Sequence, residues 1–168
     1  MSAPGSAWRR FTAGFSRLLD WLLIASVAVL IVPVTMQIIS RYTSLIPPYI
    51  WTEELARFLF IWMIMIGAML GVREMAHFNV DIWARLGRRG EAALKLVTNV
   101  ATLVFALVFV ISGYEFTRFA IYRISELAEL PLWVIHIAWP LTGLAWIVFL
   151  GEQFVDNIRA LARPETAA

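Results

Sequence analysis

The sequence predicts an all-α integral membrane protein of four transmembrane helices, with both termini cytoplasmic and a short interfacial amphipathic helix between helices 2 and 3. Three observations carry that prediction. Of the 168 residues, 61% are hydrophobic and only 15% charged, against roughly 25% charged in soluble domains, and the mean hydropathy is +0.76. The apolar residues collect into four runs, 22–39, 58–72, 96–114 and 130–151, where a bilayer crossing takes about 20 residues. Lysine and arginine, finally, fall unevenly between the segments that join those runs.

Taken in order, the spans are expected near 18–40, 51–72, 94–115 and 130–153, as a single membrane domain over 1–168 with antiparallel neighbours, because the connections are short. A soluble bundle would show a polar face at helical spacing, and these runs have none. Trp8, Arg9, Arg10 and Arg17 precede span one in the manner of a signal peptide, but the apolar core is too long and "VPVTMQIISRY" lacks a small-x-small cleavage pattern. The segment therefore reads as a retained span. Pro33 removes a backbone donor within it, and a kink is expected there.

The next connection, "RYTSLIPPYIWT", holds Pro47 and Pro48, which stop one helix and set up the next. Thr52 is the expected N-cap, with Glu53 and Glu54 in the first turn, or the helix starts earlier at Pro48. Run 58–72 reaches spanning length only if its helix begins near Trp51. In "REMAHFNVDIWARLGRRGEAALK", Phe78, Val80, Ile82, Trp83 and Leu86 alternate with Asp81, Arg85, Arg88 and Arg89. That pattern predicts the amphipathic helix at the membrane surface.

Ten of the 14 Lys and Arg residues lie before span one, between spans two and three, or after span four; at most four lie on the other side. The basic side is cytoplasmic by the positive-inside rule. Anionic lipid headgroups then account for the net charge of +2 without a nucleic-acid partner. The absence of cysteine excludes disulfides and thiolate metal sites.

Span two carries the densest signal. On a helical wheel at 100° per residue, Arg57, Phe60, Ile64, Gly67 and Gly71 fall within about 40° of the line through Glu53. One stripe thus combines an i, i+4 Glu/Arg pair with a GxxxG spacing that lets helices approach closely. Charges at membrane depth face protein or water; the alternative is that Glu53, Glu54 and Arg57 sit at headgroup level and cap the helix. No relay of ionisable groups continues towards the midplane, where span four offers only His136, so conduction by this chain alone is not expected. A haem between paired histidines fails on geometry, because His77 and His136 belong to opposite ends of the spans. No histidine is placed to activate a nucleophile, so an enzyme is not expected either.

"RY" at Arg41 and Tyr42, "WTEELARFLFIW" at 51–62 and "GVREMAHFNVD" at 71–81 together resemble the small membrane subunit of tripartite ATP-independent periplasmic (TRAP) transporters. The matching positions are Arg41, Trp51, Glu53, Glu54, Arg57, Gly67, Arg73, His77 and Asp81. "SELAELPLW" and "PLTG" extend the resemblance through Ser125, Leu127, Pro131, Pro140 and Gly143, while Glu126 and Glu129 depart from the family pattern. The resemblance implies a scaffold in a bacterial or archaeal cytoplasmic membrane. A periplasmic substrate-binding protein would deliver an organic acid to a large membrane subunit that holds the substrate and sodium sites, and the small subunit would need no cofactor. Arg41, Trp51, Glu53, Glu54, Arg57, Gly67 and Gly71 are then candidate contacts to the large subunit or the binding protein. Arg73, His77 and Asp81 would pin the turn into the interfacial helix. A self-sufficient homo-oligomeric transporter or channel, and a membrane anchor for a redox enzyme, are the alternative readings.

Overall fold

Hydrocarbon solvates no backbone polar group, so each apolar run must close its own hydrogen bonds as a helix. The computed structural model, which describes residues 5–44, 47–74 and 88–162, has five helices: α1 (Gly5–Tyr42), α2 (Trp51–Glu74), α3 (Arg88–Ala120), α4 (Trp133–His136) and α5 (Ala138–Ala162). Four segments are long and apolar enough to cross a membrane: α1, α2, α3, and α4 with most of α5 as Trp133–Val155. Among the described residues no strand forms, and Ile124 and Pro131 make an isolated antiparallel bridge. Hydroxyls within the spans obey the same constraint. Ser26, Thr98, Thr102, Thr117 and Thr142 each donate to the carbonyl four residues back, so none is left unsatisfied in lipid.

Helix α1 has 38 residues, a length of about 57 Å at 1.5 Å per residue, against a hydrocarbon core of about 30 Å. Its first turns, with Arg9 and Arg10, therefore project beyond the membrane-crossing stretch. The helix continues unbroken through Pro33, whose side chain is buried. Helix α2 starts at Trp51, which corrects the expected capping. Thr52 lies inside the first turn, and its buried hydroxyl donates to the Tyr49 carbonyl at 2.7 Å instead of receiving a helix amide. The turn after Pro47 and Pro48 already satisfies the Thr52 amide through the same carbonyl, at 3.2 Å. Most of the predicted amphipathic segment, 75–87, lies outside the described residues; residues 88–95 belong to α3.

The helices form an open row in the order α1, α2, α5, α3. Helix α1 packs along α2, α2 against α5, and α5 along α3, while α1 meets α5 only locally. Burial follows from that order: 33% of the α2 span and 39% of the last span are buried, against 6% for α1 and 11% for α3 at the flanks. The connections α1–α2 and α3–α4 share one end of the row, the hairpin end. Residues 5, 74, 88 and 162 mark the other, the terminal end.

Two seams hold the row. Ile66, Met69, Leu70 and Val72 of α2 are buried, and this part of the core joins Leu19 of α1 to Ala145, Phe149 and Leu150 of α5. Between α3 and α5 the contact is made by backbone. A Cβ on Gly143 would stand 2.6 Å from the Ala106 carbonyl oxygen, and one on Gly113 would stand 2.7 Å from the Pro140 ring and 2.8 Å from its nitrogen. Ala106, Gly113 and Ala120 recur every seven residues and so share one small-residue face, on which Ala106 meets Gly143 and Gly113 meets Pro140. Phe109 fills the space beside this seam, with Trp139 and Trp146 rings at 5.1 Å and 4.9 Å. By contrast, a Cβ on Gly67 or Gly71 would meet nothing within 4 Å.

Gly113→Ala and Gly143→Ala should therefore each lower stability by about 1–3 kcal/mol through overpacking. Gly67→Ala and Gly71→Ala should leave it unchanged or raise it by up to about 1 kcal/mol, because alanine suits a helix interior better. Thermal unfolding of the purified protein in detergent, followed by circular dichroism, compares the four.

Candidate docking face on α2 and its supports

At the start of α2 the two neighbouring carboxylates part company. Glu53 accepts from the Arg57 guanidinium at 3.4 Å, one turn on, and both side chains are well exposed, at 68% and 62%. Exposed i, i+4 pairs of this kind contribute well under 1 kcal/mol, so the pair does little for the fold. Glu54, about 100° around the helix from Glu53, reaches the α3–α4 loop. Its Oε2 accepts from the backbone amides of Leu127 at 3.0 Å and Ala128 at 2.7 Å, and the Ser125 hydroxyl is a further partner of the same carboxylate.

That loop is itself ordered by its backbone. The Ser125 amide donates to the Leu130 carbonyl at 2.9 Å, and the Leu132 amide to the Arg123 carbonyl at 3.0 Å. The return passes through Glu129, which adopts φ = 52°, in the left-handed region. A non-glycine residue is uncommon there, and Glu129 is one of the two positions that depart from the family pattern. Glu54 thus ties the first turn of α2 to the α3–α4 connection at the hairpin end.

The stripe through Glu53 points away from the other described helices. Phe60 and Ile64 are 49% and 47% exposed, and the open positions at Gly67 and Gly71 continue the line. Beside and behind that stripe, α2 is bound to its neighbours partly through carbonyl oxygens. The Trp146 indole of α5 donates to the Ala68 carbonyl at 2.9 Å, the Gln153 amide to the Val72 carbonyl at 2.7 Å, and the Trp62 indole to the Val134 carbonyl at 3.0 Å. Trp146 and Gln153 are seven residues apart, two turns of α5, and so act on successive turns of α2.

A polar clasp closes the terminal end. The Thr12 hydroxyl of α1 donates to Glu152 of α5 at 2.7 Å, and Arg9 pairs with the same carboxylate at 3.5 Å. Arg73 of α2 donates to the Thr12 carbonyl at 3.2 Å and lies over the Phe149 ring at 5.9 Å. One residue of the predicted terminal group, Arg73, therefore fastens α2 to α1 and α5; its expected companions His77 and Asp81 lie outside the described residues.

The remaining expected residues scatter. Arg41 is exposed in the last turn of α1 and pairs with neither Glu53 nor Glu54. Trp51 is 42% exposed, its ring 6.2 Å from that of Tyr49. His136 is tied to its own helix, Nδ1 lying 2.7 Å from the Leu132 carbonyl and the ring stacking on Phe116 at 5.9 Å. Sequence reasoning missed Thr12, Trp62, Gly113, Trp146, Glu152 and Gln153. The available signal was a Glu–Gln pair in the last turns of an otherwise apolar span, since polar residues at that depth need protein partners.

Glu54→Ala should free the Leu127 and Ala128 amides and lower the thermal midpoint by a few degrees, with faster proteolysis between 121 and 132. Glu53→Ala should leave both measurements unchanged. Limited proteolysis and a melting curve on the two variants check this.

The comparisons with known proteins fit this architecture. The family described as tripartite ATP-independent periplasmic transporters, DctQ component, matches residues 30–160. The sialic acid TRAP transporter small permease protein SiaQ of Vibrio cholerae is 27% identical over 83% of this chain and 80% of its own. The C4-dicarboxylate TRAP transporter small permease protein DctQ of Rhodobacter capsulatus is 30% identical over 62% of this chain and 48% of its own. The isethionate TRAP transporter permease protein DctMQ of Oleidesulfovibrio alaskensis is 22% identical over 86% of this chain but only 24% of its own length. There, a small-subunit-like stretch is part of one longer permease, in keeping with a family whose small component works with a large membrane subunit. A match over most of the chain, four membrane-crossing segments and a row of helices with an open face lead to one assignment: the chain belongs to the DctQ family and is the small membrane subunit of a TRAP transporter.

Proposed function

We propose that this subunit is a fixed scaffold on which the large, substrate- and sodium-translocating subunit rests during uptake of organic acids delivered by a periplasmic binding protein. The observation that carries the reading is the open α2 stripe. Gly67 and Gly71 form a GxxxG spacing that no other described part of the chain packs against, and such a spacing suits the close approach of another membrane helix. Behind it, the indole, amide and Glu54 bonds to backbone join α2 to α5 and the α3–α4 loop, as a stationary element requires. The large subunit is the partner that the stripe fits. The binding protein is assigned to the hairpin end, where Arg41, Trp51, Glu53 and Arg57 are exposed. Sodium belongs to the large subunit.

Organic acids are the substrate class, supported by relatives named for sialic acid, C4-dicarboxylates and isethionate. The orientation is termini inside, supported by the ten basic residues on that side. Family membership favours this reading over a self-sufficient channel or a redox anchor.

Co-expression of Gly67→Leu and Gly71→Leu variants with the large subunit should reduce co-purification at least about tenfold, while each variant retains the parent's thermal midpoint alone. Undiminished co-purification would sink the docking assignment. In liposomes, uptake should need all three components, and substrate flux from this chain alone would overturn the scaffold reading.

Because the chain lacks cysteine, single replacements report topology cleanly. Ser44→Cys should react with an impermeant maleimide added outside intact cells and Ser6→Cys only after lysis; the reverse pattern would invert the orientation.

A further inference from the structure

The local meeting of α1 and α5 leaves a wedge between them. At the terminal end the two helices are fastened by the Thr12–Glu152 bond and by Phe15 against Phe149, ring centroids 5.5 Å apart. Beyond that clasp they separate, and a groove of about 380 Å³ opens, walled by Leu19, Leu22 and Ser26 of α1 and Leu141 of α5 and floored by Trp62 and Ile66 of α2. The lining is almost wholly apolar. Its one hydroxyl, Ser26 Oγ, donates to the Leu22 carbonyl at 2.7 Å, so the groove offers water a single acceptor, fewer than the two to four partners a buried water needs.

We infer that this groove is a binding site for one acyl chain of a resident membrane phospholipid. Its walls belong to membrane-crossing segments, so the medium against it is hydrocarbon, and an apolar gap of this size is filled by that medium and not by water. Its length selects the occupant. The groove runs along α1 from Phe15 to Ser26, about 16 Å at 1.5 Å per residue, which is half of a hydrocarbon core of about 30 Å. One leaflet's acyl chain has that reach. At the terminal end the stripe continues through Phe11 and Trp8, ring centroids 5.8 Å apart and both exposed; aromatic residues of this kind sit at headgroup level. Arg9 and Arg10 follow Trp8 directly in the sequence.

The site is independent of the proposed docking face. Trp62 stands about 180° around α2 from Glu53, so the groove and the Gly67–Gly71 stripe look in opposite directions.

The full-length protein, reconstituted with a phospholipid bearing a diazirine midway along its acyl chain, tests the inference by mapping of photo-adducts. Adducts should concentrate on Leu22, Ser26 and Trp62, at least fivefold over Ile24 and Ile31 of α1, and native mass spectrometry should find one retained phospholipid. Filling the groove with Ser26→Phe, or with Leu141→Phe should the first variant fold poorly, should abolish both signals while circular dichroism stays that of the parent. Equal labelling of groove and outer face, no retained lipid, or groove adducts lost on assembly with the large subunit would each overturn the assignment, the last by giving the groove to that partner.

Discussion

Where Gly143 of α5 lies against the carbonyl of Ala106, and Gly113 of α3 lies against the ring of Pro140, two helices touch through their backbones, and the placement of the others depends on that contact. Lipid tails are as apolar as the side chains they would replace, so burial drives helices together far less in a bilayer than in water. Close packing and hydrogen bonds to backbone must do it. Helix α5 uses both: small residues bring it onto α3, and Trp146 and Gln153 reach the Ala68 and Val72 carbonyls of α2. Having bound a neighbour on each side, it leaves α1 to attach through α2 and the terminal clasp.

The open row follows from that division of labour. A closed four-helix bundle would hide all four helices about equally, whereas here the flanking α1 and α3 bury little and α2 keeps one whole stripe uncovered. Large exposed apolar area is the ordinary state of a protein solvated by lipid, so exposure alone identifies no partner surface. The α2 stripe stands apart because it joins a close-approach spacing of glycines to an exposed ion pair that contributes little to the fold.

Glu53 and Glu54 show how adjacent residues of one type take different duties. A rotation of about 100° sends Glu53 outward to Arg57 and Glu54 across to the amides of Leu127 and Ala128. The family pattern treats them as a pair. In the folded chain one is a surface charge and the other is the tie from α2 to a loop that holds Glu129 in a left-handed conformation.

Much of this was legible in the sequence by itself. The four spans, their all-helical state and the alignment of Glu53, Arg57, Gly67 and Gly71 on one stripe follow from composition and from the 3.6-residue period, which are local properties of the chain. The family was legible too, because its motif residues sit at fixed spacings within and just beyond α2. The tertiary structure alone decided which glycines are used. Gly67–Gly71 and Gly113 look alike in sequence, yet only the latter meets a neighbouring backbone, since helical periodicity fixes which residues share a face but not which helix that face meets. It also decided that Glu54 serves a loop more than 70 residues away, and that Thr12, Arg73 and Glu152 converge. Each of these joins residues far apart in the chain, and only the packing order α1, α2, α5, α3 brings them together.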